Sequence, residues 1–212
     1  MGAAKWARYE PDILAAWIGE SDLRPPTCVC RAVSNTGIYG HLRHYSRDLL
    51  LPIEELARAW MDNRHNMTPD YRLTLFASPM DAIAAALCAV TKPGDAVMVL
   101  TPTYPPLLRL VNQLLRTPLE VPLPNESLPR QLADSVTRAA SRSKIAALCL
   151  TNPVNPTGHL FTAAALQELM EAAKSLGAVV ISDEVFADVV FAPGKFTSLL
   201  DKSLEAPRRL AI

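Results

Sequence analysis

The second half of the chain alternates short apolar runs with segments of helical spacing, and this alternation most constrains its fold. The runs AVMVL at 96–100, KIAALCL at 144–150 and AVVIS at 178–182 are apolar at nearly every position. Strands buried on both faces, as in parallel sheets, have this composition. Apolar residues recur at helical spacing in the segments between and beside them, which are 105–115, 129–142 and 162–177. The pattern predicts a three-layer α/β/α domain with a mainly parallel sheet.

Further elements follow from local signals. LEVPL at 119–123, RRLAI at the end of the chain and DYRLTLFAS at 70–78 read as strands, and 52–66 and 80–90 read as helices. Thr162 is a predicted N-cap and Gly177 a predicted C-terminal stop for the helix between them. Residues 1–35 look irregular, with LRPPT as a stiff extended stretch. We expect an N-terminal arm with a glycine-rich loop at 1–48 and a large domain at 49–212.

Charge, apolar runs and cysteine spacing narrow the possible partners and the expected location of the protein. Lys plus Arg and Asp plus Glu each number 21. The chain therefore lacks the basic excess that would indicate a nucleic-acid partner. No apolar run approaches the roughly 20 residues that cross a bilayer. No apolar signal core is seen at the N-terminus, so a cytoplasmic protein is the expectation. One residue separates Cys28 from Cys30, which suits zinc poorly, and no metal site is predicted.

Polar residues follow the predicted strands, where ligands bind in open α/β sheets. Taken alone, each has a structural interpretation as well. Tyr104 is compatible with covering the sheet edge, Asp183 with capping a helix, and Asn155 with bonding its own turn. The positions of interest are Ser78, Thr101 to Tyr104, Asn152 to Gly158, and Asp183 with Glu184.

The order of these positions resembles that of the fold-type I pyridoxal-phosphate (PLP) enzymes, the aspartate aminotransferase superfamily. The segments that carry the resemblance are KPGDAVMVLTPTYPPL, LTNPVNPTGHLFTAAAL and VVISDEVFAD. The opening AKWARYEPDILAAWIGESDLRPP, together with TGIYGHL, is similar to the cystathionine β-lyase or C–S lyase branch. The resemblance implies the PLP-dependent transferase fold, truncated before the small C-terminal domain. It also implies an amino-acid substrate and a homodimer.

The resemblance assigns roles at the ring of PLP. Asp183 would keep the pyridine nitrogen protonated, Asn155 would donate to the phenolic oxygen, and Tyr104 would stack on the ring. Phe186 stands where the family often has Tyr or His, and it cannot donate.

At the phosphate, the resemblance places Ser78, Pro79 and Met80 in the cradle before a helix. Ser78 replaces a usual glycine, and Pro79 has no N–H to give. His41 stands where a tyrosine commonly reaches the phosphate of the neighbouring subunit. The substrate side is expected around Gly19, Glu20 and Tyr39.

The lysine that bonds PLP in the family lies in a Ser-x-Ser-Lys-like segment after the strand that RRLAI begins, which would be beyond Ile212. The catalytic residue therefore stays unassigned among these 212 residues. The lysines of the chain all lie outside that context, namely Lys5, Lys92, Lys144, Lys174, Lys195 and Lys202. A fragment of a longer enzyme, a chain working with a second chain or C-terminal fragment, and a chain that lost its activity all stay open.

Three functions are therefore expected in order. The first is a C–S lyase that performs α,β-elimination on a cysteine S-conjugate or cystathionine. The second is an aminotransferase, or another PLP reaction such as oxidative decarboxylation or deamination, in a biosynthetic pathway. The third is an inactive fragment or partner subunit that lacks the lysine.

Overall fold

The computed structural model describes residues 4–38, 47–67, 71–123, 129–141, 143–204 and 209–211. The chain divides into two compact units, Met1–Arg47 and Asp48–Ile212. Tyr39 and His41 lie outside the described residues. Within the described part of the chain, no helix has the length and apolar character that crossing a membrane requires.

The first unit is held by contacts around one buried lysine. It contains helix α1 (Ala4–Ala7) and helix α2 (Thr27–Ile38). The ammonium of Lys5 pairs with Asp22 at 2.7 Å and donates to the carbonyl of Glu20 at 3.1 Å. The indole of Trp17 donates to the Lys5 carbonyl at 3.0 Å. These bonds satisfy a cation that burial alone would destabilise.

The prediction that residues 1–35 are irregular is wrong at Ala4–Ala7, which form α1, and from Thr27 onward, where α2 begins. The amides of Val29 and Cys30 both donate to the carbonyl of Pro26, at 3.0 and 3.1 Å. Proline disfavours helix in the residue before it but tolerates a helix that starts after it. The LRPP stretch therefore precedes a helix rather than extending an irregular arm.

Among the described residues, the second unit is built on a five-stranded parallel sheet. The strands are β1 (Ala96–Thr101), β2 (Thr117–Pro122), β3 (Ile145–Thr151), β4 (Val179–Asp183) and β5 (Arg209–Ala211). Their order in the sheet is β2-β1-β3-β4-β5, and every neighbouring pair is parallel. The strand predicted within 70–78 is wrong, because residues 71–76 form no ladder with any described residue.

Helices cover both faces of this sheet. They are α4 (Pro79–Val90), α5 (Pro105–Gln113), α6 (Pro129–Ala140) and α7 (Ala163–Leu176), and a further helix, α3 (Arg47–His65), precedes them in the chain. The predicted ends of α7 are confirmed. The side chain of Thr162 accepts from the Ala165 amide at 3.2 Å, and Gly177 adopts a left-handed φ of 68°. That conformation favours glycine and closes the last turn.

Two apolar cores show the three-layer arrangement. On one face, α4 and α5 contribute Ile83, Leu87, Leu107 and Val111 against Val97, Val99, Ala147, Cys149 and Ile181. On the other face, α6 and α7 contribute Leu132, Val136, Leu166 and Leu169 against Met98, Leu148, Leu150 and Val180. The two sets alternate along each strand, as side chains of a pleated strand do. The predicted α/β/α fold is confirmed.

Candidate functional site

The carboxyl edge of the sheet carries a row of polar side chains on the face that α4 and α5 cover. Thr151 pairs in register with Asp183. Because Cys149 and Ile181 belong to the α4/α5-side core, residues two positions further along share that face. The hydroxyl oxygens of Thr103 and Thr151 lie 3.4 Å apart. The predicted positions after β1, β3 and β4 are thus neighbours at one edge.

The N-terminus of α4 lies at the same end of the sheet, because α4 leads into the start of β1 through the turn at 91–95. Ser78 is its N-cap, and the hydroxyl oxygen accepts from the Asp81 amide at 3.2 Å. The same hydroxyl donates to the Asp81 carboxylate at 2.8 Å. The first helical residue, Pro79, offers no N–H. The Met80 amide forms no hydrogen bond with another described residue and can donate to a ligand.

Asp183 is a buried carboxylate without a cationic partner among the described residues. It is 7 % exposed, and Oδ1 accepts from the Val185 amide at 3.2 Å. Burial raises the pKa of this carboxyl, and the Val185 N–H opposes the rise. A carboxylate held in this way favours a ligand that brings a positive N–H to it.

The two asparagines of TNPVNPTG occupy different environments. Asn152 is fully buried, and its side chain donates to the Thr197 carbonyl at 2.9 Å and accepts from the Phe161 amide at 3.3 Å. The backbone N–H of Asn152 donates to the Asp183 carbonyl at 2.8 Å. Asn155 is half-buried, and its side chain bonds no described residue. The side chain of Asn152 therefore holds the turn in place, and the side-chain amide of Asn155 is available to bind a ligand.

The turn is closed by two backbone bonds. The amide of Val154 donates to the His159 carbonyl at 2.8 Å, and the amide of Gly158 donates to the Val154 carbonyl at 2.7 Å. Gly158 has a φ of 70°, which a side chain would strain. Burial lowers the pKa of His159. The closed turn holds Asn155 at a defined place after β3.

Two aromatic residues border the edge. Tyr104 is the N-cap of α5, makes no capping bond with its side chain, and is 37 % exposed. Phe186 lies in the turn after β4 and is equally exposed. Both residues are therefore partly accessible to a ligand at this edge.

Glu184 is partly buried next to Asp183 and was not singled out for a role by sequence reasoning. It accepts from the Leu199 amide and the Ser198 hydroxyl, both at 2.7 Å. Burial raises the pKa of this carboxyl to about 7, against the lowering effect of these hydrogen bonds. Asn152 was likewise given no role, although both residues are among the positions that follow predicted strands.

The predicted substrate-side residues belong to the first unit. Gly19 is exposed, and a Cβ there would meet no atom within 4 Å. The carboxylate of Glu20 accepts from the Lys5 amide at 3.3 Å. The described residues contain no cluster of three or more potential metal ligands.

The residues at the sheet edge fit the ring of PLP better than its phosphate. The buried carboxylate of Asp183 suits a protonated pyridine nitrogen, and the side-chain amide of Asn155, which bonds none of the described residues, suits the phenolic oxygen. At α4, the Ser78 hydroxyl is engaged with Asp81, and Pro79 removes one donor. A phosphate there would meet fewer donors than a free helix N-terminus offers.

Comparison with known proteins identifies the family. Residues 18–210 match the model of the family "Aminotransferase class I and II". A protein named "Putative cystathionine beta-lyase" from Mycobacterium leprae (strain TN) is 35% identical over 212 residues, which cover 92% of this chain and 50% of the relative. The chain thus spans about half the length of that relative.

Solved structures agree on the fold. Cystalysin from Treponema denticola, whose structure contains pyridoxal 5′-phosphate, aligns with a TM-score of 0.77 at 19% identity and covers 93% of this chain and 52% of its own. N-succinyldiaminopimelate aminotransferase from Mycobacterium tuberculosis aligns with a TM-score of 0.77 at 25% identity, covering 92% and 51%. From the family match over most of its length, this chain belongs to the class I and II aminotransferases.

Proposed function

We propose that this chain binds PLP and forms the cofactor-binding part of a C–S lyase, which performs α,β-elimination on a cysteine S-conjugate or cystathionine. The observation that carries the proposal is the buried carboxylate of Asp183, which no cation among the described residues pairs with, at the carboxyl edge on the sheet face that α4 covers. The relative named as a cystathionine beta-lyase supports the choice of reaction.

The residues after β1, β3 and β4 would hold the ring. When bound, PLP draws electrons from the α-carbon of an amino acid. Asp183 accepts the pyridinium N–H and keeps that nitrogen protonated, while Asn155 donates to the phenolic oxygen and limits its basicity. Tyr104 stacks on one face of the ring and excludes water from it. Phe186 adds apolar contact only, because its ring has no donor.

The phosphate would be held by the residues that open α4. The Met80 amide donates to it, and the Ser78 hydroxyl does so after turning away from Asp81. Pro79 contributes only its position at the first turn. His41 is proposed as a further phosphate donor, with Gly19, Glu20 and Tyr39 on the substrate side.

The proposal extends to organisation. Residues 1–48 serve as an arm with a glycine-rich loop, and 49–212 as the large domain. The assembled enzyme is a homodimer, and a C-terminal segment or second chain supplies the lysine that bonds the cofactor. Sedimentation of the purified protein at several concentrations tests the dimer, and a concentration-independent monomer would contradict it.

Pyridoxamine 5′-phosphate tests the cofactor site without interference from surface lysines, because it has no aldehyde. Its affinity is measured by calorimetric titration of the 212-residue chain and of two variants. Asp183→Asn should weaken binding about tenfold or more, since a charge-assisted bond is lost. Asp134→Asn, at an exposed position on α6, should leave the affinity unchanged. Equal affinities for all three proteins, or no binding by any, would refute the site.

The reaction is tested on the longest polypeptide encoded by the reading frame that contains these residues. With PLP and a cysteine S-conjugate, the lyase releases a thiol, pyruvate and ammonia. A keto acid that retains the side chain would instead support the second candidate, an aminotransferase. That candidate is favoured by the likeness to N-succinyldiaminopimelate aminotransferase.

A further inference from the structure

Residues Thr197–Leu199 lie against the carboxyl ends of two strands at once, and we call them the buttress. Asn152, after β3, donates from Nδ2 to the Thr197 carbonyl at 2.9 Å. Glu184, after β4, accepts from the Ser198 hydroxyl and the Leu199 amide at 2.7 Å each. Each residue of the buttress therefore binds one of two side chains that follow adjacent strands.

The buttress is anchored in the hydrophobic core. Ser198 is 1 % exposed, and Leu199 is fully buried in the core on the α6/α7 side. Its position is therefore set by apolar packing, away from the polar row on the α4/α5 side. A segment fixed in this way can hold the groups that bind it.

Asp183 and Glu184 are consecutive but bind different surroundings. The only hydrogen bond of the Asp183 side chain to a described residue is the one from the Val185 amide, at 3.2 Å. The direction of that carboxylate therefore depends on the backbone of residues 183–185. Glu184 lies in the middle of that backbone, and its two short bonds to the buttress restrict it.

The same network reaches the turn after β3. The Asn152 amide donates to the Asp183 carbonyl at 2.8 Å, and the Asn152 side chain binds the buttress. Movement of the buttress would thus disturb both the carboxylate of Asp183 and the turn that carries Asn155.

We propose that Glu184 is a positioning residue: by binding the buttress, it directs the Asp183 carboxylate toward the ring nitrogen of the cofactor. This inference rests on the cofactor role proposed for Asp183 above. Glu184 itself touches neither the cofactor nor the substrate. The hydrogen bonds of Glu184, rather than its charge, carry the effect.

The test compares Glu184→Ala with Glu184→Gln, using pyridoxamine 5′-phosphate as the probe. Glu184→Ala should weaken binding about tenfold and shift the pH at which the absorption of the bound ring changes. Glu184→Gln should stay within about twofold of the unaltered chain, because its amide can accept from Leu199 and donate to Ser198. Glu171→Ala, at an exposed position on α7, is the control. Affinity and spectrum unchanged in Glu184→Ala, or equal losses in Ala and Gln, would overturn the proposal.

A second variant and a ligand-free measurement cover the case in which Glu184→Ala does not fold. Ser198→Ala removes one buttress bond only and should weaken probe binding about threefold. Hydrogen exchange of the peptides containing Asn152 and Leu199 should quicken at least threefold in that variant. Unchanged exchange would contradict the positioning role even without a ligand. If exchange quickens while the unaltered chain binds no probe, the cofactor proposal fails and the positioning network stands.

Discussion

The two ends of the candidate site differ in how their polar groups are arranged. One end, which we call the ring end, comprises the residues after β3 and β4. There Asn152 and Glu184 make the hydrogen bonds to Thr197, Ser198 and Leu199. Asn155 and the Asp183 carboxylate can therefore still bind a ligand. At the phosphate end, Ser78 and Asp81 bond each other, and Pro79 has no donor. A helix that caps itself has less to give to an anion. If PLP binds as proposed, this difference concentrates its recognition on the ring.

The largest expected effect separates the two asparagines of the ring end, Asn152 and Asn155. Asn152→Ala leaves the Thr197 carbonyl and the Phe161 amide unsatisfied. Each unsatisfied buried group costs about 1–3 kcal/mol, so the free energy of unfolding should fall by about 3 kcal/mol. Urea unfolding followed by circular dichroism measures it.

Asn155→Ala is the matched comparison, since its side chain bonds no described residue. It should change the free energy of unfolding by less than about 0.5 kcal/mol, as other partly exposed substitutions do. Binding of pyridoxamine 5′-phosphate should nevertheless weaken about tenfold, for loss of a charge-assisted bond. If the two alanine variants lose the same free energy of unfolding, the assignment of a structural role to Asn152 and a ligand-binding role to Asn155 is wrong.

The next effect concerns pH and Glu184. Burial raises the folded-state pKa from 4.5 to about 7, so the folded chain binds the proton more tightly than the unfolded chain. The stabilisation is complete below the unfolded pKa and is lost as the pH rises through the folded pKa. Between about pH 5 and pH 8 the loss should be about 2 kcal/mol, with partial exposure keeping it below the full value for the shift.

Glu184→Gln should abolish this part of the pH dependence. The variant cannot ionise and retains both buttress bonds, so it should be more stable than the unaltered chain at the alkaline end. Urea unfolding at a series of pH values gives the difference between the two proteins. That difference cancels titrating groups that do not interact with Glu184, such as His159, whose pKa burial lowers. Asp183 helps to raise the pKa of Glu184, so its own titration belongs to the measured difference. Parallel stability curves would show that Glu184 does not titrate in this range.

The sequence predicted those parts of the fold that local patterns determine. The apolar runs of β1, β3 and β4 and the caps of α7 follow from composition and spacing, and the structure contains them. The segment 71–76 has the residues of a strand but pairs with no described strand, and pairing is a long-range property. Helix α2 was missed because Pro25 and Pro26, which precede it, read as part of an extended stretch rather than as the approach to a helix.

The same limit separates the site residues. The carboxyl-edge rule located Tyr104, Asn155 and Asp183 without coordinates. The partner of Asn152 is Thr197, 45 residues further along, and that of Glu184 is Leu199, 15 residues further along. No local sequence pattern near Asn152 or Glu184 predicts these contacts, so the supporting roles of the two residues are visible only in the folded structure.

The smallest effect tests the phosphate end. Pro79→Ala restores an N–H at the first position of α4, where an anion can accept it. One added hydrogen bond to a charged group, offset by the lost rigidity of proline, should be worth about 1 kcal/mol. Pyridoxamine 5′-phosphate should therefore bind about fivefold more tightly. Pyridoxamine, which lacks the phosphate, should bind the variant and the unaltered chain equally. If both ligands gain alike, the substitution acts through the helix as a whole. If neither gains, the phosphate does not lie at this helix, and recognition of the cofactor rests on the ring alone.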